Sequence, residues 1–119
     1  MIYATAKEYP DKFAIPEKSE DLKANFKKGI ISLPMGMENG SPIEKIGDVA
    51  YFHKRGIRYV TLTHGKDNQI SDSSYDTLHT NHGLSNFGRE VVQEMNRVGI
   101  MVDVSHVSDE AFDDVVRLS

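Results

Sequence analysis

Three short apolar runs recur along this sequence, and each is directly preceded by a glycine. The runs are residues 30–33, 57–63 and 100–104, and stretches with helical spacing separate them. Apolar runs of about four to eight residues are typical of buried strands, and a glycine commonly ends the helix before them. The pattern therefore alternates strand and helix, which favours a parallel sheet with helical crossovers.

Helix signals stand where this alternation requires them. Ser41, Pro42 and Glu44 form a capping box with proline at the first helical position, so they predict a helix that runs to Lys54. A second apolar stripe predicts a helix over residues 87–98. Two further caps, at Ser19 and Ser108, predict a helix before the first run and another after the last.

The predicted fold class is α/β, with about three βα units and a preceding helix in one domain over residues 1–119. A complete (β/α)8 barrel takes roughly 250 residues, so any barrel formed by 119 residues would be incomplete. The first two strand starts are 27 residues apart and the next two 43 apart. The longer interval contains a polar segment, residues 65–85, which we expect either to serve the site or to be disordered.

Composition excludes several classes of function. The net charge of −4 offers no basic surface for nucleic acid or an anionic membrane, and no apolar run is long enough to span a bilayer. The first residues do not resemble a signal peptide, so the localisation stays open. With no cysteine in the chain, disulfides and thiolate chemistry are excluded, and any metal must be bound by His, Asp, Glu or water.

Three residues with metal-binding or proton-transferring side chains follow the apolar runs. They are Glu38, His64 and His106. Because active sites of parallel α/β folds lie at the carboxyl ends of strands, the three predict a shared rim. Each also has an ordinary interpretation: Glu38 as a solvated turn residue between glycines, His64 as a core histidine on the face of Leu62, and His106 as a structural histidine bonded to backbone.

The remaining polar candidates are weaker. Asp103 lies inside a strand, where its carboxylate needs a partner, so we interpret it as a structural tie in preference to support for a metal ligand. His53 belongs to a predicted helix, and His79 and His82 belong to the polar segment. We expect these three histidines to be solvated.

An ordered series of segments resembles the membrane (renal) dipeptidase family of zinc metallopeptidases. The resemblance begins near Gly29 and continues to the end of the sequence. Its segments are GIRYVTLTH at residues 56–64, SDS at 71–73, GLSNFG at 83–88, EMNR at 94–97 and VDVSH at 102–106.

The resemblance implies an amidohydrolase-type (β/α)8 barrel, of TIM type, that binds two zinc ions at the strand ends and hydrolyses dipeptides. By position, Glu38 is similar to the carboxylate that bridges both zincs, and His106 to a histidine ligand of one of them. His64 is similar to the non-ligand histidine that contacts the substrate and the tetrahedral intermediate. These matches predict a metal role for Glu38 and His106, and a catalytic and substrate-binding role for His64.

The sequence also departs from the family pattern. The His-x-Asp zinc pair of the first strand is absent, and the later zinc histidine, catalytic aspartate and substrate-binding arginine have no counterpart. We therefore expect an internal piece of a dipeptidase, inactive alone, whose open sheet edges pair with another copy or with the missing barrel portion. The alternatives are a catalytically silent truncated fragment that acts as a folding or interaction module, and a barrel hydrolase of amide or lactone bonds.

Overall fold

The computed structural model describes all residues from Met1 to Ser119. They form two compact units, Met1–Met35 and Gly36–Ser119. No helix is both long enough and apolar enough to cross a lipid bilayer. The elements in chain order are α1 (Ile2–Glu8), β1 (Phe13–Ala14), α2 (Ser19–Lys27), β2 (Ile31–Ser32), β3 (Met35–Glu38), α3 (Gly47–Lys54), β4 (Ile57–Thr61), α4 (Asn86–Val98), β5 (Met101–Asp103) and α5 (Asp109–Leu118).

The first unit is built on two short parallel strands, β1 and β2, which helix α2 connects. The helix begins at Ser19, as predicted, but the cap is the carboxylate of Asp21, which accepts hydrogen bonds from the N–H groups of Glu17 and Lys18 at 2.9 and 3.2 Å. Gly29, with a positive φ of 72°, follows the end of the helix. Such a backbone angle favours glycine and ends the helix before β2.

The second unit contains the three-stranded sheet β3-β4-β5, in which β4 and β5 are parallel. Helix α4 contacts α3, α5 and β5, so the helices cover the apolar side chains of the sheet. The α/β prediction of about three βα units with a preceding helix is confirmed, as β3–α3, β4–α4 and β5–α5. The core consists of the buried side chains Ile43, Val49, Val60, Leu62, Ile70, Leu84, Val91, Val92, Met95, Ile100, Val107, Ala111 and Val115.

Two predicted boundaries are wrong for local reasons. The strand predicted over residues 30–33 is shorter, β2 at Ile31–Ser32, and a separate strand with a different partner, β3, begins only after Leu33 and Pro34. Proline has no N–H to continue a strand ladder. The helix predicted from Ser41 begins at Gly47 instead, because the Asp48 carboxylate accepts hydrogen bonds from the N–H groups of Glu44 and Lys45, at 3.0 Å each.

The polar segment between β4 and α4 is an ordered loop. Asp72 is fully buried, and its two carboxylate oxygens accept hydrogen bonds from the N–H groups of Asn81 and Gly83 at 2.8 and 3.0 Å. An isolated antiparallel bridge pairs Ser71 with Leu84 within the loop. Of the two expected outcomes for this segment, service to the site or disorder, the hydrogen bonds exclude disorder.

Helix α4 approaches this loop closely at Gly88, which is buried. A Cβ added there would lie 2.0 Å from the carbonyl oxygen of Ile70. That atom belongs to the backbone, and Ile70 is itself fully buried, so the loop has little freedom to move away. Only glycine permits this distance between helix and loop.

Gly88→Ala is therefore expected to destabilise the protein by about 2 kcal/mol, within the range for overpacked cores. Gly47→Ala is the matched control, because Gly47 also lies in a helix but an added Cβ would meet nothing within 4 Å. The control should be neutral or gain up to about 1 kcal/mol from helix propensity. Urea unfolding of both variants measures the difference, and equal effects would contradict the close approach.

A second loop carboxylate, Asp67, gives the stability a pH dependence. Burial opposes its ionisation, but hydrogen bonds from the N–H groups of Thr80 and Ser73 outweigh it, so the pKa of Asp67 lies below its ordinary value of 3.8. A lowered pKa in the folded state contributes stability that is present above the ordinary pKa and lost as pH falls through the folded value.

The difference in unfolding free energy between the wild type and Asp67→Asn should therefore be largest near neutral pH and shrink below about pH 3.8. Urea titrations between pH 7 and pH 3 measure it. Asp11→Asn, which changes an exposed aspartate, is the control. A difference between wild type and Asp67→Asn that stays constant across this range would show that ionised Asp67 does not stabilise the loop.

Candidate metal centre

The carboxyl end of the sheet brings three residues together: Glu38, His64 and His106. Their candidate ligand atoms all lie within 4.8 Å of one another. Glu38 Oε1 is 3.5 Å from His64 Nε2 and 3.6 Å from His106 Nε2. The structure thus brings together all three residues that the sequence placed on a shared rim.

The strands explain why these side chains meet. Glu38 is the last residue of β3, and the two histidines each follow a strand end, after β4 and β5. In the parallel pair, Thr61 is the register partner of Asp103. His64 comes three residues after Thr61, and His106 comes three residues after Asp103. The same offset from level strand ends brings both residues to the same end of the sheet.

The donor set suits a zinc-sized ion. Zinc takes imidazole nitrogen and carboxylate oxygen at about 2.0–2.2 Å, which places two donors of a tetrahedron roughly 3.3 Å apart. The measured separations from Glu38 Oε1 to the two imidazole nitrogens, 3.5 and 3.6 Å, are close to that edge length. The Glu38 carboxylate could therefore share one ion with either histidine after only small side-chain movements.

The site is open to solvent. The exposed fractions of the side chains are 66% for Glu38, 52% for His64 and 27% for His106. A cavity of about 200 Å³, lined by Glu38, Asn39 and His64, lies beside them. The interpretation of His64 as a core histidine aligned with Leu62 is wrong, because β4 ends at Thr61 and strand alternation does not continue to residue 64.

Aromatic rings frame the two histidines. The rings of His64 and His106 are edge-to-face, with centroids 4.5 Å apart and planes at 67°. The exposed ring of Tyr75 lies 5.6 Å from His106 on another side. Sequence reasoning missed Tyr75; the available signal was an aromatic residue in a long loop on the carboxyl side of a strand.

Asp103 ties the ends of β4 and β5. Its carboxylate accepts hydrogen bonds from the hydroxyl of Thr61 at 2.7 Å, and from the N–H and hydroxyl of Ser105 at 2.9 and 2.7 Å. Burial opposes its ionisation, yet these bonds and the nearby His106 hold the pKa of Asp103 below its ordinary value. The contacts to Thr61 and Ser105 make Asp103 the structural tie that the sequence favoured.

Two residues at the rim have a left-handed backbone conformation. His106 has a φ of 68° and Asn39, next to Glu38, a φ of 84°. The left-handed region is uncommon for residues other than glycine and persists where the surroundings fix it. The Asn39 side chain accepts hydrogen bonds from the N–H of Ser41 and the amide of Asn68, both at 3.0 Å, which fix the turn after Glu38.

The other histidines lie outside the cluster. His79 and His82 are exposed in the loop, as expected. His53, predicted to be solvated, is half-buried in α3, and burial together with the charge of Arg58 lowers its pKa. None of the three contributes a ligand atom to the group formed by Glu38, His64 and His106.

Comparison with known proteins places this arrangement in a family. The family model described as membrane dipeptidase, peptidase family M19, matches residues 1–119. The dipeptidase tcpJ of Claviceps purpurea is 39% identical over 117 residues, which are 93% of this chain and 26% of that protein. An uncharacterised dipeptidase of Schizosaccharomyces pombe is 38% identical over 116 residues, 93% of this chain and 27% of that protein.

Solved structures agree with the sequence comparisons. The probable dipeptidase PvdM of Pseudomonas aeruginosa matches 99% of this chain and 31% of its own, with a TM-score of 0.92 and 26% identity. A metallopeptidase of Rhodobacter sphaeroides, liganded with a phosphinate mimic of the dipeptide L-Ala-D-Ala, matches 99% of this chain and 35% of its own, with a TM-score of 0.82 and 26% identity.

The fold prediction of a partial TIM-type barrel and the predicted family are thereby confirmed. The chain spans about a quarter of the length of the curated relatives it matches. The chain belongs to the membrane dipeptidase family, peptidase family M19.

Proposed function

We propose that this chain supplies part of the active site of a zinc dipeptidase that hydrolyses the peptide bond of dipeptides. The observation that carries the proposal is the convergence of Glu38, His64 and His106, whose ligand atoms lie within 4.8 Å of one another at the strand ends. Because the chain spans a quarter of its relatives' length, catalysis by the chain alone is not expected.

Glu38 and His106 are proposed to hold the metal. Borderline ions such as zinc accept a mixed nitrogen and oxygen donor set, and the chain has no thiolate to offer. In a site with two zinc ions, the Glu38 carboxylate would be a ligand shared by both. Bound zinc would lower the pKa of a water molecule and polarise the peptide carbonyl group.

His64 is proposed to act on the substrate side. Its imidazole is half-exposed and lines the cavity beside Glu38, so it is accessible to a bound dipeptide. From there an imidazole N–H can donate a hydrogen bond to the oxygen on which negative charge develops during attack on the peptide carbonyl. His64 would thus both contact the substrate and stabilise the transition state.

A dipeptide is the proposed substrate. The related metallopeptidase of Rhodobacter sphaeroides binds a phosphinate mimic of a dipeptide, and relatives of this chain are dipeptidases. The surfaces around the cavity beside His64 would determine which side chains the dipeptide can carry.

We propose that residues 1–119 are the internal part of one barrel domain. Strands β3 and β5 are the edges of the three-stranded sheet. Unpaired strand edges favour addition of another strand, so the remaining barrel portion or a second copy of the chain would bind there. Association with the rest of the barrel would also add ligands that this chain does not supply.

The alternative is a catalytically silent module for folding or interaction. The number of donors supports it: without His64, Glu38 and His106 fall short of the three protein ligands typical of catalytic zinc. Zinc titration separates the dipeptidase from the silent module, because only the dipeptidase is expected to bind zinc through Glu38.

Calorimetric titration with zinc is expected to show binding that His106→Ala and Glu38→Gln each weaken by more than about 100-fold. Losing an outer partner of a metal site already costs roughly 10–100-fold, and losing a ligand costs more. His64→Ala should weaken binding much less. His53→Ala, which removes a histidine outside the cluster, is the control.

Two results would revise the assignment. Equal losses in His64→Ala and His106→Ala would make His64 a metal ligand. Wild-type affinity in both the Glu38 and His106 variants would remove the metal centre from the proposal and leave the silent module.

A chimera tests catalysis. In it, this chain replaces the matching 31% of the Pseudomonas aeruginosa probable dipeptidase. We expect zinc-dependent hydrolysis of a dipeptide, and His64→Ala in the chimera should lower kcat by about 100-fold or more, the cost of one lost oxyanion donor. Zinc content, measured by elemental analysis, should stay unchanged. A chimera with full zinc whose turnover survives His64→Ala would exclude the catalytic role of His64.

A further inference from the structure

The buried loop residue Ser73 is connected to both histidines of the metal centre. Its hydroxyl donates a hydrogen bond to the backbone carbonyl of His64 and accepts one from the N–H of Tyr75 at 3.1 Å. The side chain is fully buried, so no solvent can replace these bonds. One hydroxyl thus fixes the carbonyl that follows β4 and the course of the loop beside it.

The same segment is bonded to the chain around His106. Ser73 pairs with Val107 in an isolated antiparallel bridge. The N–H of Ser74 donates to the His106 carbonyl at 2.9 Å, and the N–H of Ser108 donates to the Asp72 carbonyl at 3.0 Å. These two bonds flank the bridge, so residues 72–74 lie fixed against residues 106–108.

His106 depends on such support. Its φ of 68° lies in the left-handed region, which residues other than glycine seldom adopt, and the bond to its carbonyl is made by Ser74, the residue next to Ser73. The strand ladder ends before both histidines, at Thr61 and Asp103, so sheet pairing cannot fix the residues beyond. The loop supplies the missing connection between the two strand extensions.

We propose that Ser73 is a positioning residue: its hydroxyl holds the chain at His64 against the chain at His106 and so sets the spacing of the two imidazoles beside Glu38. Outer hydrogen bonds that orient metal ligands are worth about 10–100-fold in metal affinity. The geometric part of the proposal concerns the metal-free chain, and only its effect on affinity rests on the proposed function.

The loop provides a matched control in Ser71. Ser71 is also fully buried, and its hydroxyl also donates to a backbone carbonyl, that of Asp72 at 3.0 Å. That bond is local and joins neighbouring residues. Ser73→Ala and Ser71→Ala therefore remove the same group from the same loop and the same degree of burial, but only Ser73→Ala disconnects His64.

The primary readout is the nuclear Overhauser effect between the ring protons of His64 and His106 in the metal-free chain. Their centroids are 4.5 Å apart, so the wild type should show the cross-peaks. Ser73→Ala should lose or strongly weaken them, whereas Ser71→Ala should retain them. In zinc titrations, the dissociation constant of Ser73→Ala should rise by about 10–100-fold and that of Ser71→Ala by less than about threefold.

Unchanged cross-peaks in folded Ser73→Ala would overturn the proposal, and so would equal loss in both variants, which would indicate general loop packing. If Ser73→Ala does not fold, amide relaxation of the wild type decides. Order parameters near 0.85 are expected for residues 72–75, and values below 0.6 with the ring contact intact would overturn the proposal. A wild type that binds no zinc would end the proposed function but leave the cross-peak comparison valid.

Discussion

The parallel pairing of β4 with β5 is the constraint on which the site depends. It sets Thr61 level with Asp103, and the N–H of Leu62 continues the pairing by donating to the Asp103 carbonyl at 3.3 Å. Because the strands run in the same direction, the residues that follow them leave the sheet at the same carboxyl end. Glu38 lies at the end of β3, the neighbour of β4. The convergence of the three side chains thus begins with the register of β4 and β5 and with the place of β3 beside β4.

Beyond the strand ends, loop side chains replace the sheet as the source of order. Asn68 donates through its amide to the Asn39 side chain and to the Leu62 carbonyl, at 3.0 and 2.9 Å, and so connects the turn after Glu38 with the end of β4. Ser73 and its neighbour make the corresponding connections to His64 and His106. This explains the composition of residues 65–85: short polar side chains satisfy backbone groups that have no ladder partner. The loop is polar because it holds the site together.

The alternation of strand and helix, the shared rim of Glu38, His64 and His106, and the structural tie at Asp103 could all be predicted from sequence. Periodicity reports burial of one face, and the alternation of strand and helix follows from it. The start of α3 could not be predicted, because the Asp48 carboxylate, inside the predicted helix, accepts hydrogen bonds from the N–H groups of Glu44 and Lys45. The exposure of His64 also escaped prediction, since alternation says nothing past the last paired residue. The zinc and substrate roles of the three residues stay predictions.

The openness of the centre limits what these strands achieve by themselves. Small-molecule sites usually enclose about 300–1,000 Å³ and bury most of the ligand, whereas the cavity beside Glu38 and His64 holds about 200 Å³. Charge stabilisation by an imidazole is strongest where water is excluded, yet more than half of the His64 side chain is exposed. The proposed dipeptide site would therefore need a second surface over this cavity before His64 could stabilise charge effectively. Positioning of the histidines and exclusion of water would then belong to different parts of the protein.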